Sequence, residues 1–149
     1  MNELRRFMGL MALIGLALVA VGERTADAGG KAGGKLKFEI YQDKASEFRW
    51  RLLGGEGATI ASSGQGYSAK QACKDGIESV KKNGTSDKAK FEIYEDKGKD
   101  FRWRLLATNG NNIASSSGSF KTKTDCETAI ATLKKGLGAA SVAEVKEAP

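Results

Sequence analysis

From residue 37 onward the chain alternates apolar and polar positions in short bursts, and then the period lengthens. Phe38-Glu39-Ile40-Tyr41 sends apolar residues to one side and polar residues to the other, the period-two pattern of a half-buried strand. Asp43 to Glu47 is a polar turn, after which Phe48-Arg49-Trp50-Arg51-Leu52 alternates again. Gly54-Gly55-Glu56-Gly57 makes a second turn, and Thr59-Ile60-Ala61-Ser62 reads as a shorter third strand of small residues. Ala69, Ala72, Cys73, Ile77 and Val80 then follow at helical spacing and give one apolar face. Ser68 with Gln71 has the form of a capping box, Lys81 and Lys82 suit the negative end of the helix dipole, and Gly84 is expected to end the helix.

The same pattern recurs 53 positions later without a gap. KFEIYQDKASEFRWRLLGGEGATIASS from Lys37 aligns with KFEIYEDKGKDFRWRLLATNGNNIASS from Lys90. The match runs on through Cys73 and Cys126, Ile77 and Ile130, and the paired lysines 81–82 and 134–135. Asn109-Gly110 is a strong hairpin dipeptide in the second copy, and Thr122 with Asp125 gives it a weaker helix cap. A βββα unit of this size buries too little surface to stand comfortably alone. The sequence therefore predicts an α+β fold in which two tandem βββα repeats pack around a pseudo-two-fold axis into one compact domain. Repeat 1 spans 36–84 and repeat 2 spans 90–136, joined by a short polar linker at 85–89. Residues 29–35 read as a flexible Gly/Lys linker and 137–149 as a flexible C-terminal tail.

The first 28 residues have a different character. Arg5 and Arg6 precede an unbroken apolar run, Phe7 to Val21, and Ala26-Asp27-Ala28 precedes Gly29. That order is a secretory signal peptide with expected cleavage after Ala28; the competing reading is an uncleaved N-terminal anchor. The run is short for a span of about 20 residues, so no stable membrane insertion is expected after cleavage. Export to the periplasm or the exterior follows. Loss of 1–28 removes three positive and three negative charges, and the formal charge of +6 stays unchanged. That charge favours anionic partners such as polyanionic glycans, lipid surfaces or nucleic acid without choosing among them, and the partner expected overall is an unidentified anionic or protein one.

Several chemistries are poorly served. There is no histidine among 149 residues, so neither a Ser/His nor a Cys/His nucleophile can be built, and the commonest metal ligand is missing. Two cysteines alone cannot make a structural zinc site. The Ile-Ala-Ser-Ser segments at 60–63 and 113–116 lack an activating base, and the serines are better suited to local hydrogen bonding. The chain reads as a non-enzymatic protein without a cofactor.

The string FEIYxDKxxxFRWRLLxxxGxxIASS, followed by a Cys-bearing helix, resembles the YegP-like family of small bacterial and archaeal proteins whose function is unknown. The resemblance covers both copies. It implies strands plus one helix per repeat, homodimers among one-repeat members, and a tandem member that supplies both halves in one chain. No activity, cofactor or catalytic residue comes with it. The export signal departs from the family's usual pattern.

Three groups of residues carry whatever specificity can be read. Arg49, Arg51, Arg102 and Arg104 share the polar sides of their strands and are candidates for anion binding, since a guanidinium donates two parallel hydrogen bonds to a planar anion. The competing reading is cross-strand pairing, with Glu39 opposite Arg51 and Tyr41 opposite Arg49. Trp50 and Trp103 are either core residues or stacking platforms, and their alternation with arginine favours the core. Cys73 and Cys126 are candidates for a disulfide in an exported protein, although the apolar stripe explains both as buried thiols. The reading that results is an exported binding or structural module of the cell envelope, monomeric through its internal pseudo-dimer or further oligomerised. Polyanion or nucleic-acid binding through the arginine strands is the alternative, with export arguing against nucleic acid.

Overall fold

The computed structural model describes residues 35–146; the N-terminal signal-like segment and all but Lys35 of the expected Gly/Lys linker at 29–35 lie outside them. Repeat 1 forms β1 (Lys37–Gln42), β2 (Phe48–Leu53), β3 (Thr59–Ser63) and α1 (Lys70–Thr85). Repeat 2 forms β4 (Lys90–Glu95), β5 (Phe101–Leu106), β6 (Asn112–Ser116) and α2 (Lys123–Leu137), and the chain then adds β7 (Ser141–Glu144). All strands join one seven-stranded sheet in the order β4-β5-β6-β3-β2-β1-β7. Pairing is antiparallel throughout except between β1 and β7, which are parallel.

The two copies meet at the centre. β3 pairs with β6 so that Ser62 faces Ser115, flanked by Ala61 with Ser116 and Ser63 with Ala114. Ser62 and Ser115 are equivalent positions of the repeat, so a pseudo-two-fold axis passes between them. α1 touches strands of both repeats and also α2, which places the helices over one face of the continuous sheet. Phe38, Ile40, Trp50 and Leu52 of repeat 1 and Trp103 and Leu105 of repeat 2 are buried beneath Cys73, Ile77, Val80, Cys126, Ile130 and Leu133. Complete burial of one such side chain is worth about 1.5–3 kcal/mol, so a shared core supplies what a single unit could not. Edge-to-face ring pairs anchor each half: Phe38 with Trp50 at 5.2 Å and Phe91 with Trp103 at 5.6 Å between centroids.

Four local expectations need correction. The Ser68/Gln71 capping box does not form. Ala69 is the N-cap of α1 without a side-chain bond, and the Gln71 amide donates instead to Asp75, one turn on. The supposedly weaker cap is the real one, with Thr122 Oγ1 accepting from the Asp125 amide at 3.1 Å. Gly84 does not stop α1, which runs on to Thr85; it is a buried notch, where an added Cβ would collide with Leu137 Cδ2. Finally, the expected C-terminal tail begins as ordered structure: Leu137 is a fully buried residue at the end of α2 and 141–144 form β7, while 147–149 lie outside the described residues.

Candidate functional site

The sheet face away from the helices carries the polar half of every alternating strand. Glu39 lies opposite Arg51, Arg51 opposite Ser62, Ser62 opposite Ser115, Ser115 opposite Arg104, and Arg104 opposite Glu92. Six strands thus present one palindromic row, Glu-Arg-Ser-Ser-Arg-Glu, centred on the pseudo-two-fold axis. β7 extends it by Ala143, beside Glu39. Small serines at the centre leave no long side chain in the row between its two arginines.

Each arginine is held by a carboxylate. Arg51 donates from Nε and Nη2 to Glu39 Oε2 at 2.9 and 2.7 Å, and Arg104 binds Glu92 Oε2 at 2.8 and 2.7 Å. Both guanidinium groups also stand over a tyrosine, Arg51 over Tyr41 at 5.8 Å and Arg104 over Tyr94 at 5.6 Å. Arg49 and Arg102 sit opposite Tyr41 and Tyr94 as the alternation implies, yet their hydrogen bonds go elsewhere. Arg49 Nε donates to Asp43 Oδ2 at 2.6 Å and Arg102 Nε to Asp96 Oδ2 at 2.8 Å.

Those two aspartates are the residues that sequence reasoning passed over. Asp43 Oδ1 accepts the amides of Ala45 and Glu47, and Asp96 Oδ1 those of Gly98 and Asp100, so each folds its hairpin turn with one oxygen and orients an arginine with the other. The turn needs a left-handed residue, supplied by Ser46 (φ 63°) and Lys99 (φ 62°). An aspartate six positions before an arginine in both copies was the available signal. The guanidinium partner, foremost, holds Asp43 and Asp96 below the ordinary aspartate range. Glu39 is likewise lowered, first by the Lys37 ammonium and then by Arg51.

Other sequence candidates lie away from this face, in the interior. Trp50 and Trp103 are 0% and 3% exposed, so they are core residues. Ser116 is buried and its hydroxyl accepts the Trp103 amide at 3.2 Å, a structural role. Cys73 and Cys126 are buried free thiols, so the candidate disulfide is not formed, and burial pushes both up to about 11. Thiolate chemistry near neutral pH is therefore suppressed. Among the described residues no cluster of three metal-ligating side chains occurs, and no helix is long and apolar enough to cross a membrane. A depression at the ends of β1 and β7, lined in part by Tyr41, Phe48, Lys70 and Lys146, has Lys70 already engaged by Glu144 at 2.9 Å.

Comparison with known proteins agrees with this architecture. Residues 43–90 and 96–147 each match the family described as a domain of unknown function, DUF1508, and the two segments start at the equivalent aspartates Asp43 and Asp96. A UPF0339 protein from the 5′ region of the ptx operon of Stutzerimonas stutzeri is 38% identical over 108 residues, covering 72% of this chain and 95% of the relative. A UPF0339 protein of Treponema denticola is 51% identical over 57 residues, which cover 38% of this chain but 95% of that protein, so it is about one repeat long. The solution structure of yegP from E. coli, a protein of unknown function, superposes with a TM-score of 0.67 at 28% identity, covering 78% of this chain and 97% of that one. A UPF0339 protein of Shewanella oneidensis shares the fold with a TM-score of 0.66 at 20% identity, over 75% and 92% of the two chains. With both repeats matched in sequence and the fold matched over about three-quarters of the chain, the chain belongs to the DUF1508, or UPF0339, family and is YegP-like.

Proposed function

We propose that this chain is an exported, non-enzymatic binding module of the cell envelope, periplasmic or secreted, whose contact surface is the helix-free sheet face. The observation that carries this reading is the palindromic row of Glu39, Arg51, Ser62, Ser115, Arg104 and Glu92. A surface of guanidinium groups pre-oriented by carboxylates and tyrosines loses little side-chain freedom on contact, which favours recognition of a protein surface. The two-fold repetition of that row suits a partner that is itself two-fold symmetric. Export is supported by the charged n-region, the apolar run and the A-x-A pattern ahead of Gly29.

Polyanion binding is the weaker alternative, because each strand arginine already faces a carboxylate within 2.9 Å. The net charge of +6 resides on other side chains, such as Lys134 and Lys135. Two measurements test the reading. Intact-mass analysis of the envelope fraction should find a chain beginning at Gly29; an intact Met1 in the cytoplasm would overturn export. Photo-crosslinkers at Ser62 and Ser115 should trap a discrete adduct that Arg51→Glu with Arg104→Glu abolishes. If those charge reversals instead reduce heparin or duplex DNA binding more than Lys134→Ala with Lys135→Ala does, the polyanion alternative replaces it.

A further inference from the structure

β1 and β4 are equivalent strands of the repeat in unlike states. Along β1 the parallel β7 is tied down by backbone bonds, Val145 N–H to the Ile40 carbonyl at 2.9 Å and Ser141 N–H to the Leu36 carbonyl at 3.1 Å. β4 repeats β1 almost residue for residue, yet it ends the sheet. Topology explains the difference. The chain leaving α2 becomes β7, whereas the chain leaving α1 is β4 itself, so among the described residues no segment takes the place beside β4.

Backbone groups of alternate residues in a strand point to opposite sides. Since the Ile40 carbonyl points at β7, its equivalent Ile93, and Phe91 two residues before it, turn their N–H and C=O outward from β4. Such an edge is a template for another strand. The charges on β4 do not forbid this, because β1 carries Lys37 and Glu39 at the positions of Lys90 and Glu92 and still accepts β7. The side chains register the missing cover: Phe38 and Ile40 are 0% and 2% exposed, while Phe91 and Ile93 are only half-buried.

β7 also shows what an occupant must look like, and α2 shows how it must differ. Val142 lies opposite Phe38, and Glu144 lies opposite Ile40, where Lys70 and Lys74 of α1 hold its carboxylate at 2.9 and 3.0 Å. The equivalents on α2 are Lys123 and Glu127, which face each other at 4.0 Å. A second acid there would meet Glu127.

We propose that the free edge of β4 is a docking site for an extended segment of a partner polypeptide, added parallel to β4 with an apolar side chain opposite Phe91 and an uncharged polar one opposite Ile93. This mode of recognition takes affinity from the main chain and specificity from alternate side chains. It does not depend on the reading of the helix-free face, and it fails or stands separately.

The test uses the full chain labelled with 15N and two synthetic peptides of residues 140–146, one native (ASVAEVK) and one with Glu144→Gln. The Gln peptide should shift amides of 90–95 saturably, slow hydrogen exchange at Phe91 and Ile93, and bind about threefold tighter than the native peptide. Glu127→Lys, which restores the lysine pair of repeat 1, should reverse that preference by a similar factor. Ile93→Pro removes an outward N–H without breaking a β4–β5 bond and should abolish the shifts. Should that variant not fold, the Glu127→Lys reversal decides alone. The proposal is overturned by shifts centred on β1 and α1, by no saturable shift at 90–95, by an unchanged peptide preference in Glu127→Lys, or by protection of β4 through self-association without peptide.

Discussion

Repeat 1 and repeat 2 share a string of residues but live in different surroundings. On β1 the Glu39–Arg51 pair is nine-tenths and four-fifths buried at its side chains, while the equivalent Glu92–Arg104 pair is 47% exposed at both, with Tyr94 40% exposed beside it. The residues are the same, and so is the cross-strand register. What differs is β7, present on one flank and not on the other. Near-identical sequence therefore sets geometry, while the neighbouring element sets how strongly that geometry is insulated from water.

Equivalent substitutions in the two halves turn this difference into measurable quantities. The largest effect should come from the ring under β1: Phe38→Ala is expected to cost about 4 kcal/mol in urea unfolding, and Phe91→Ala about 2, because Phe91 is only half-buried. Equal losses would show that β7 adds nothing to the core of repeat 1.

A second contrast lies under α1. Gly76 faces Tyr67, whose hydroxyl would come within contact of any added Cβ, whereas the equivalent pair in repeat 2 is Ala129 with Phe120. A hydroxyl in one copy stands where a methyl stands in the other. Gly76→Ala should cost about 2 kcal/mol by overpacking, and far less when combined with Tyr67→Phe. A double-mutant cycle showing simple additivity would break the pairing.

The helix caps come next. Thr122→Ala should remove about 1 kcal/mol, while Ser68→Ala should stay within about 0.5, since only Thr122 bonds its helix amides. The smallest effect concerns acid. Asp43 and Asp96 are held below their ordinary value of 3.8, so their contribution is present above that pH and is lost as pH falls through their folded values. The thermal midpoint should therefore decline below about pH 4, and Asp43→Asn with Asp96→Asn should flatten that decline. An identical acid limb in the double variant would remove both aspartates from the account.

The strands, turns and helices of both repeats were legible because each local pattern repeats and its two copies agree in period. The burial of Trp50 followed from alternation, and the Glu39–Arg51 register from alternation together with a short hairpin turn. β7 was not legible: Ser-Val-Ala-Glu is too short to show a period, and its place is decided by the open flank of β1. Gly84 misled for a similar reason, since a glycine that ends a helix and one that admits a neighbour's side chain look alike until the neighbour is known. The arginines were visible, but their aspartate partners were hidden as turn residues, where a single carboxylate performs two tasks.

Gly84 and Leu137 occupy corresponding places in the two copies and touch each other near the end of α1. In an assembly of two identical chains, each member of such a pair would have to fit its own duplicate, and neither two leucines nor two glycines would interlock there as knob and hole. Joining the halves covalently lifts that demand. Each half can then drift toward the shape its sibling lacks, and exchanging one for a second copy of the other should leave either a collision or a void at that spot.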